Sequence, residues 1–332
     1  MIFADMHCDT ITKLHREIKQ GSREALNTNS LHLDLCKMKK ADYLLQNFAI
    51  FINQGKCDNP YQACLENIQF YKEEMHKNND LIIPVTTYEQ VIRNEKNEVM
   101  SALLTIEEGA VLEGKIERVQ EFYDLGVRMI TLTWNYPNEL GYPNVDIRPY
   151  LKNEVDKPNF HIPDTTNGLT PIGISIIEKM GRLGIIIDVS HGSDALFYDV
   201  CRYTKKPFVA SHSNARAICH HNRNLSDDMI RTLALRGGVM GMNFCADFLN
   251  PDAHGKCYIH DIIVHMQYIK NIGGVEVIGL GSDFDGIEDE LEMKDASGMV
   301  LLLEEMHRSG FTMSEIDKIT HENVLRVYKE LL

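Results

Sequence analysis

The 332-residue chain has no run of about 18 apolar residues, so no membrane-spanning helix is expected. It has no excess of basic residues: 34 Lys and Arg stand against 48 Asp and Glu, a net charge of −14. Nucleic acid and anionic membrane surfaces both want a basic face, so neither is an expected partner. A secretory leader is missing too. Asp5 and Asp9 interrupt the apolar start and no basic stretch precedes it, so a cytoplasmic location is expected. The eight cysteines are scattered without CxxC pairing, which argues for reduced packing residues and against a disulfide framework. No repeat, low-complexity tract or linker interrupts the chain, and no glycine-rich phosphate loop follows its first apolar run. The latter disfavours an open, doubly wound nucleotide-binding sheet.

What the chain does have is alternation. Eight short apolar runs read as buried strands: 2–8, 43–52, 99–106, 128–133, 184–190, 207–211, 238–244 and 277–281. Helical patterns fall between them, at 61–77, 116–125, 171–183, 193–204, 226–236 and 259–272, with a last helix at 315–332 after Ser314. Gly126, Gly184, Gly237 and Gly273 stand where helix C-termini want glycine. Eight β/α alternations predict an α/β fold, a (β/α)8 TIM barrel forming one domain over residues 1–332. The long segment 136–170, rich in Pro, Asn and Asp, then follows the fourth strand and lies at the catalytic face.

Several runs end in residues suited to metal or proton chemistry. The first ends in His7-Cys8-Asp9, where strand alternation sends His7 and Asp9 one way and Cys8 the other. The third ends in Glu107-Glu108; Glu107 directly ends the run and is the expected acid, with Glu108 the alternative. The fifth ends in Asp188-Val189-Ser190-His191, the sixth in Ser211-His212-Ser213, and the eighth in Ser282-Asp283-Phe284-Asp285. Strand ends of a barrel converge on one face, so these residues share one site. Three His, a Glu and two or three Asp cover the ligands that zinc, manganese and related ions prefer. Asp283 and Asp285 share a face and could bind metal or handle protons. Arg223, after the sixth strand, could grip a carboxylate. His220 and His221 are expected to be solvated, and His15, His32, His76 and His307 to lie on the surface.

Six dispersed segments together carry a resemblance. They are Ala4-Asp5-Met6-His7-Cys8-Asp9-Thr10, Gly168-Leu169-Thr170-Pro171-Ile172-Gly173, the stretch from Leu183 to His191, Ser211-His212-Ser213-Asn214-Ala215, Arg223-Asn224-Leu225-Ser226-Asp227-Asp228 and Gly281-Ser282-Asp283-Phe284-Asp285-Gly286. In this order they resemble the membrane (renal) dipeptidase family of zinc metallopeptidases, peptidase family M19, and the likeness runs essentially end to end. The resemblance implies an amidohydrolase-type barrel with two divalent metal ions, zinc being the expected one. His7 and Asp9 would hold the first ion, Glu107 would bridge both, and His191 and His212 would hold the second. Asp283 would be the proton-handling acid and Arg223 the substrate anchor.

The implied activity is hydrolysis of the amide bond of short peptides, some with a C-terminal D-residue, by a water shared between the ions. The expected partner is a small dipeptide, and a homodimer is compatible with the pattern. The chain departs from the family at three places. It reads Glu107-Glu108-Gly109-Ala110 where Glu-Gly-Gly-His is usual. It has Trp134 where the animal enzymes have a substrate-contacting His, and Phe248 where they have a Tyr. Trp134 is read as an apolar wall of the substrate pocket. The departures motivate an alternative: a metal-dependent amidohydrolase acting on an N-acyl amino acid or another small amide or lactone.

Overall fold

A computed structural model describes residues 2–332; Met1, the first residue of the expected 1–332 unit, lies outside the described residues. The strands are β1 (Phe3–Cys8), β2 (Tyr43–Phe51), β3 (Ile82–Val85), β4 (Met100–Glu107), β5 (Val127–Thr131), β6 (Ile186–Asp188), β7 (Val209–Ala210), β8 (Val239–Met242), β9 (Lys256–Cys257), β10 (Ile278–Leu280) and β11 (Glu290–Leu291). Eight of them close a parallel barrel in the order β2-β1-β10-β8-β7-β6-β5-β4, and β4 pairs back onto β2. Helices between the strands make the outer layer, as in a (β/α)8 TIM barrel.

Two strands of the sheet depart from the apolar pattern. β3 is a ninth strand that borrows the edge of β4: Ile82 to Val85 pair with Met100 to Leu103, while β5 pairs only from Leu104 onward. β7 shrinks to two residues because side-chain hydrogen bonds to Asp188, described below, replace ladder pairing at its end.

The apolar residues divide into two packed sets. Ala4, Met6, Leu45, Leu103, Met129, Ile186, Val209 and Val239 fill the barrel interior, where Val324, Val327 and Tyr328 of the C-terminal helix Asn323–Leu331 meet them. Asn47 Nδ2 donates to Tyr328 Oη at 2.6 Å, tying that helix into the barrel. The larger set packs strands against the surrounding helices. The predicted helix 315–332 starts earlier. Thr312 caps it with a reciprocal Glu315 bond, and Lys318–Glu322 passes as a π turn before Asn323. Among the described residues, no helix is long and apolar enough to cross a membrane.

Candidate metal centre and substrate cavity

β1 delivers His7 and Asp9, its candidate ligand pair, through an irregularity. The β1–β2 register shifts between Asp5 and Cys8. Ala4 and Met6 face the barrel interior, whereas Cys8 packs in the outer set. His7 and Asp9 are both buried, and Asp9 lines the mouth. Asp5, one turn of the pleat earlier, accepts from His7 N at 3.1 Å, from Ser282 N at 3.0 Å and from Ser282 Oγ at 2.6 Å. This carboxylate fastens β1 to the end of β10.

Glu107 stands between two groups of imidazoles. Its Oε2 lies 3.3 Å from His7 Nε2, and its Oε1 lies 3.0 Å from His191 Nε2 and 3.6 Å from His212 Nε2. Asp9 Oδ2 and Asp283 Oδ1 approach His7 Nε2 at 3.6 and 3.9 Å. Glu108, the alternative acid, turns away. It accepts from Ala110 N, Asn138 Nδ2 and Gln54 Nε2, and so ties the long loop to the segment after β2. It holds a positive φ of 108°, a conformation that suits the glycine usual in the family better than a glutamate.

The outer hydrogen bonds set the imidazoles. Buried Asp188 accepts from Ser190 N, Ser211 N, Thr131 Oγ1 and Ser211 Oγ, gathering the ends of β5, β6 and β7. With its proton spent on Asp188, Ser211 Oγ accepts from His212 Nδ1 at 2.8 Å. His191 Nδ1 donates to Asn135 Oδ1 at 3.0 Å. Both assignments leave Nε2 as a lone pair aimed into the site, the tautomer a metal ligand needs.

The electrostatics ask for cations. Burial, outweighing the attraction of His7, raises Glu107 to about 7, with Asp9 and Asp283 adding like-charge repulsion. Burial likewise brings Asp283 to about 6 against the pull of His7. Burial works to lower His7, but Glu107 and Asp9 outweigh it and raise it well above the usual histidine range. His191 and His212 are pushed well below that range by burial and by neighbouring positive charge. His7 Nδ1, His7 Nε2 and Asp9 Oδ1 are buried without a hydrogen-bond partner. Ligand atoms of His7, Glu107 and His212, and of His7, Asp9 and Asp283, fall within 4.8 Å of one another in each set. Buried carboxylates and lone-pair imidazoles with unmet valences fit divalent ions.

Above the ligands lies a cavity of about 350 Å³. Asp283 Oδ2 accepts from Asn243 Nδ2 at 2.9 Å. Gly286 passes so close that a Cβ there would collide with Asp9 Oδ2 and Asp283 Oδ1. Arg223 is buried, donates from Nη2 to His212 O at 3.2 Å, and keeps Nε and Nη1 unpartnered. Its guanidinium sits 5.3 Å from the Phe248 ring centre. Trp134 lines the same cavity, edge-on to Phe51 at 4.9 Å and 6.2 Å from His191. His191, Asp283 and Asp285 all hold left-handed φ values, between 64° and 69°. Such strained backbone clusters where function demands a particular aim.

Two histidine expectations fail. His221 is buried, stacked on Phe160 and tilted against Phe248. Its Nδ1 accepts from Arg223 N, and burial lowers it to about 3. His32 is drawn in by Asp285, which accepts from His32 N at 2.7 Å while its own N–H donates to His32 Nδ1. Asp285 thus anchors a loop, whereas Asp283 Oδ1 faces His7. Asp5, Asn135 and Asn243 are not among the expected site residues, and Asp188 and Ser211, noted in the sequence as strand-end residues, act as supports of the imidazoles. A lone polar residue within an apolar run is the one signal for Asp5, and a polar strand end the one for Asp188.

Comparison with known proteins agrees with this picture. The family model described as Membrane dipeptidase (Peptidase family M19) matches residues 1–331. An uncharacterized dipeptidase of Schizosaccharomyces pombe is 31% identical over 96% of this chain and 76% of its own length. An uncharacterized protein of Klebsiella pneumoniae is 35% identical over 72% of this chain and 85% of its own. In fold, the chain superposes with TM-score 0.89 on a metallopeptidase from Rhodobacter sphaeroides liganded with a phosphinate mimic of L-Ala-D-Ala. That likeness has 23% identity and covers 100% of this chain and 99% of the other. The metallopeptidase dipeptidase AC gives the same TM-score at 24% identity, covering 100% and 98%. With the family model matching residues 1–331, the chain belongs to the membrane dipeptidase family, peptidase family M19.

Proposed function

We propose that the chain is a single-domain, two-metal dipeptidase that hydrolyses the amide bond of short peptides. The observation that carries this reading is the position of Glu107, with one carboxylate oxygen toward His7 and the other toward His191 and His212. His7 and Asp9 would hold one ion, His191 and His212 the other, with Glu107 between them. Zinc is the metal we expect, because imidazole and carboxylate donors suit it. Two such ions, when bound, lower the pKa of a water toward roughly 7 and polarise the amide carbonyl.

The remaining work falls to the chain. Asn243 holds Asp283 Oδ2, so Oδ1 is the free oxygen, facing the site. From there Asp283 takes the proton of the attacking water and delivers it to the departing amine nitrogen. The unpartnered Nε and Nη1 of Arg223 receive the terminal carboxylate of the peptide, which confines hydrolysis to short substrates. Trp134 and Phe51 wall the cavity and keep bulk water from the reacting bond.

Eight free cysteines support a reducing, cytoplasmic setting. Exposed Tyr150, Leu151 and Ile162 on the long loop support a homodimer. The test is a panel of dipeptides beside N-acyl amino acids, given to the purified, metal-loaded protein. Hydrolysis of dipeptides with free carboxyl ends is expected. Activity confined to the N-acyl compounds would replace this reading with the amidohydrolase alternative.

A further inference from the structure

Resting on the dipeptidase reading, we propose that the cavity selects peptides whose N-terminal residue carries an acidic side chain, and that Lys13 is the residue that selects it. Arg223 follows β7, and the helix Thr10–Lys19 follows β1, three strands away around the barrel mouth. A peptide whose carboxylate reaches Arg223 and whose scissile amide lies over Glu107 must extend its N-terminal residue toward that helix.

Two cations wait there. Lys13 and Arg16 both line the cavity, at the i, i+3 spacing that puts them on one face of the helix. Neither side chain makes an ion pair or hydrogen bond among the described residues. Lys13 is half-buried, its stem packed on the helix face that borders the cavity.

Asp285 feels the charge of Lys13, but no neighbouring carboxylate forms an ion pair with it among the described residues. Asp285 is occupied by Thr10 Oγ1 and His32 N. Asp289 is engaged by Cys245 and the Ala246 backbone. Glu288, also on the cavity wall, is exposed to solvent. In a chain of net charge −14, an unpaired cation held inside the substrate cavity is a specificity element for an anion.

The experiment compares kcat/KM for Glu-Ala, Ala-Ala and Lys-Ala, with wild-type protein and with Lys13→Glu and Lys13→Gln. The wild type should prefer Glu-Ala over Lys-Ala by roughly tenfold or more, in the range one good side-chain contact gives. Lys13→Glu should collapse or invert that ratio, and Lys13→Gln should fall between. Hydrolysis of all three peptides without acidic preference, or a ratio unmoved in Lys13→Glu, overturns this inference and leaves the dipeptidase reading standing. Failure to hydrolyse any of them overturns both.

Discussion

His191 Nε2 lies 3.0 Å from His212 Nε2, and both nitrogens are lone pairs because their ring partners, Asn135 and Ser211, take the Nδ1 protons. Two acceptors facing each other at hydrogen-bond distance repel unless a cation lies between them. Glu107 Oε1, 3.0 Å from His191, sharpens the requirement. The protein holds this arrangement by spending Asp188, Ser190 and Ser211 on the scaffold around it.

Removing metal should therefore cost stability. Chelation deprives the native state of a ligand that the unfolded chain cannot bind as well, a loss of about 3 kcal/mol when metal stands at 100 times its Kd. Thermal unfolding with and without chelator should differ by several degrees, and re-addition of Zn²⁺ should restore the midpoint. An unchanged midpoint would count against a bound metal.

Ser211→Ala takes away the bridge between Asp188 and His212. Loss of such an orienting partner typically weakens metal affinity about 10- to 100-fold. Titration with a competing chelator should read that loss. Affinity equal to wild type would mean that Ser211 serves packing alone.

Asp283→Asn keeps the shape and removes the proton carrier. Turnover of a dipeptide should fall by about 10²-fold or more while metal content per chain stays at the wild-type level. Wild-type turnover in this variant would assign proton transfer elsewhere.

Arg223→Met should lower kcat/KM for a dipeptide by about two orders of magnitude. It should do far less to a dipeptide amide, which offers no carboxylate to lose. An equal loss on both substrates would contradict the anchoring role.

Stability should also respond to pH through His265, remote from the metal centre. Its Nδ1 accepts from Ala215 N and its Nε2 donates to Leu249 O, and burial lowers it to about 4. Against an unfolded value near 6.5, the unfolded chain binds more protons between pH 6.5 and 4, so stability is full above 6.5 and lost as pH falls through that window. The loss over the whole window is roughly 3 kcal/mol, of which about 2 kcal/mol has appeared by pH 5. Urea unfolding at pH 7 and pH 5 should show it, and His265→Gln should show less. Equal losses in both proteins would exonerate His265.

The eight barrel strands were legible because buried parallel strands are continuous apolar runs with few rivals. β3 was not, since Ile82 to Val85 is four residues long, carries Pro84 and pairs on one edge only. The helix Thr10–Lys19 escaped because its outer face is charged and only Thr10, Ile11 and Leu14 are buried. The strand-end residues now in the cavity stood out in sequence because each closed an apolar run. Their supports did not. Asp188 reads as a strand's polar end, Ser211 as a neighbour of His212, and His221 as a loop residue, until tertiary packing puts Arg223 and Phe248 against it.

The central claim is that Glu107 joins two metal positions, and metal stoichiometry tests it most directly. Elemental analysis of the purified, metal-saturated protein should give two divalent ions per chain, falling to one or fewer in Glu107→Ala. A single ion in the wild type, or two ions undisturbed in Glu107→Ala, would contradict it.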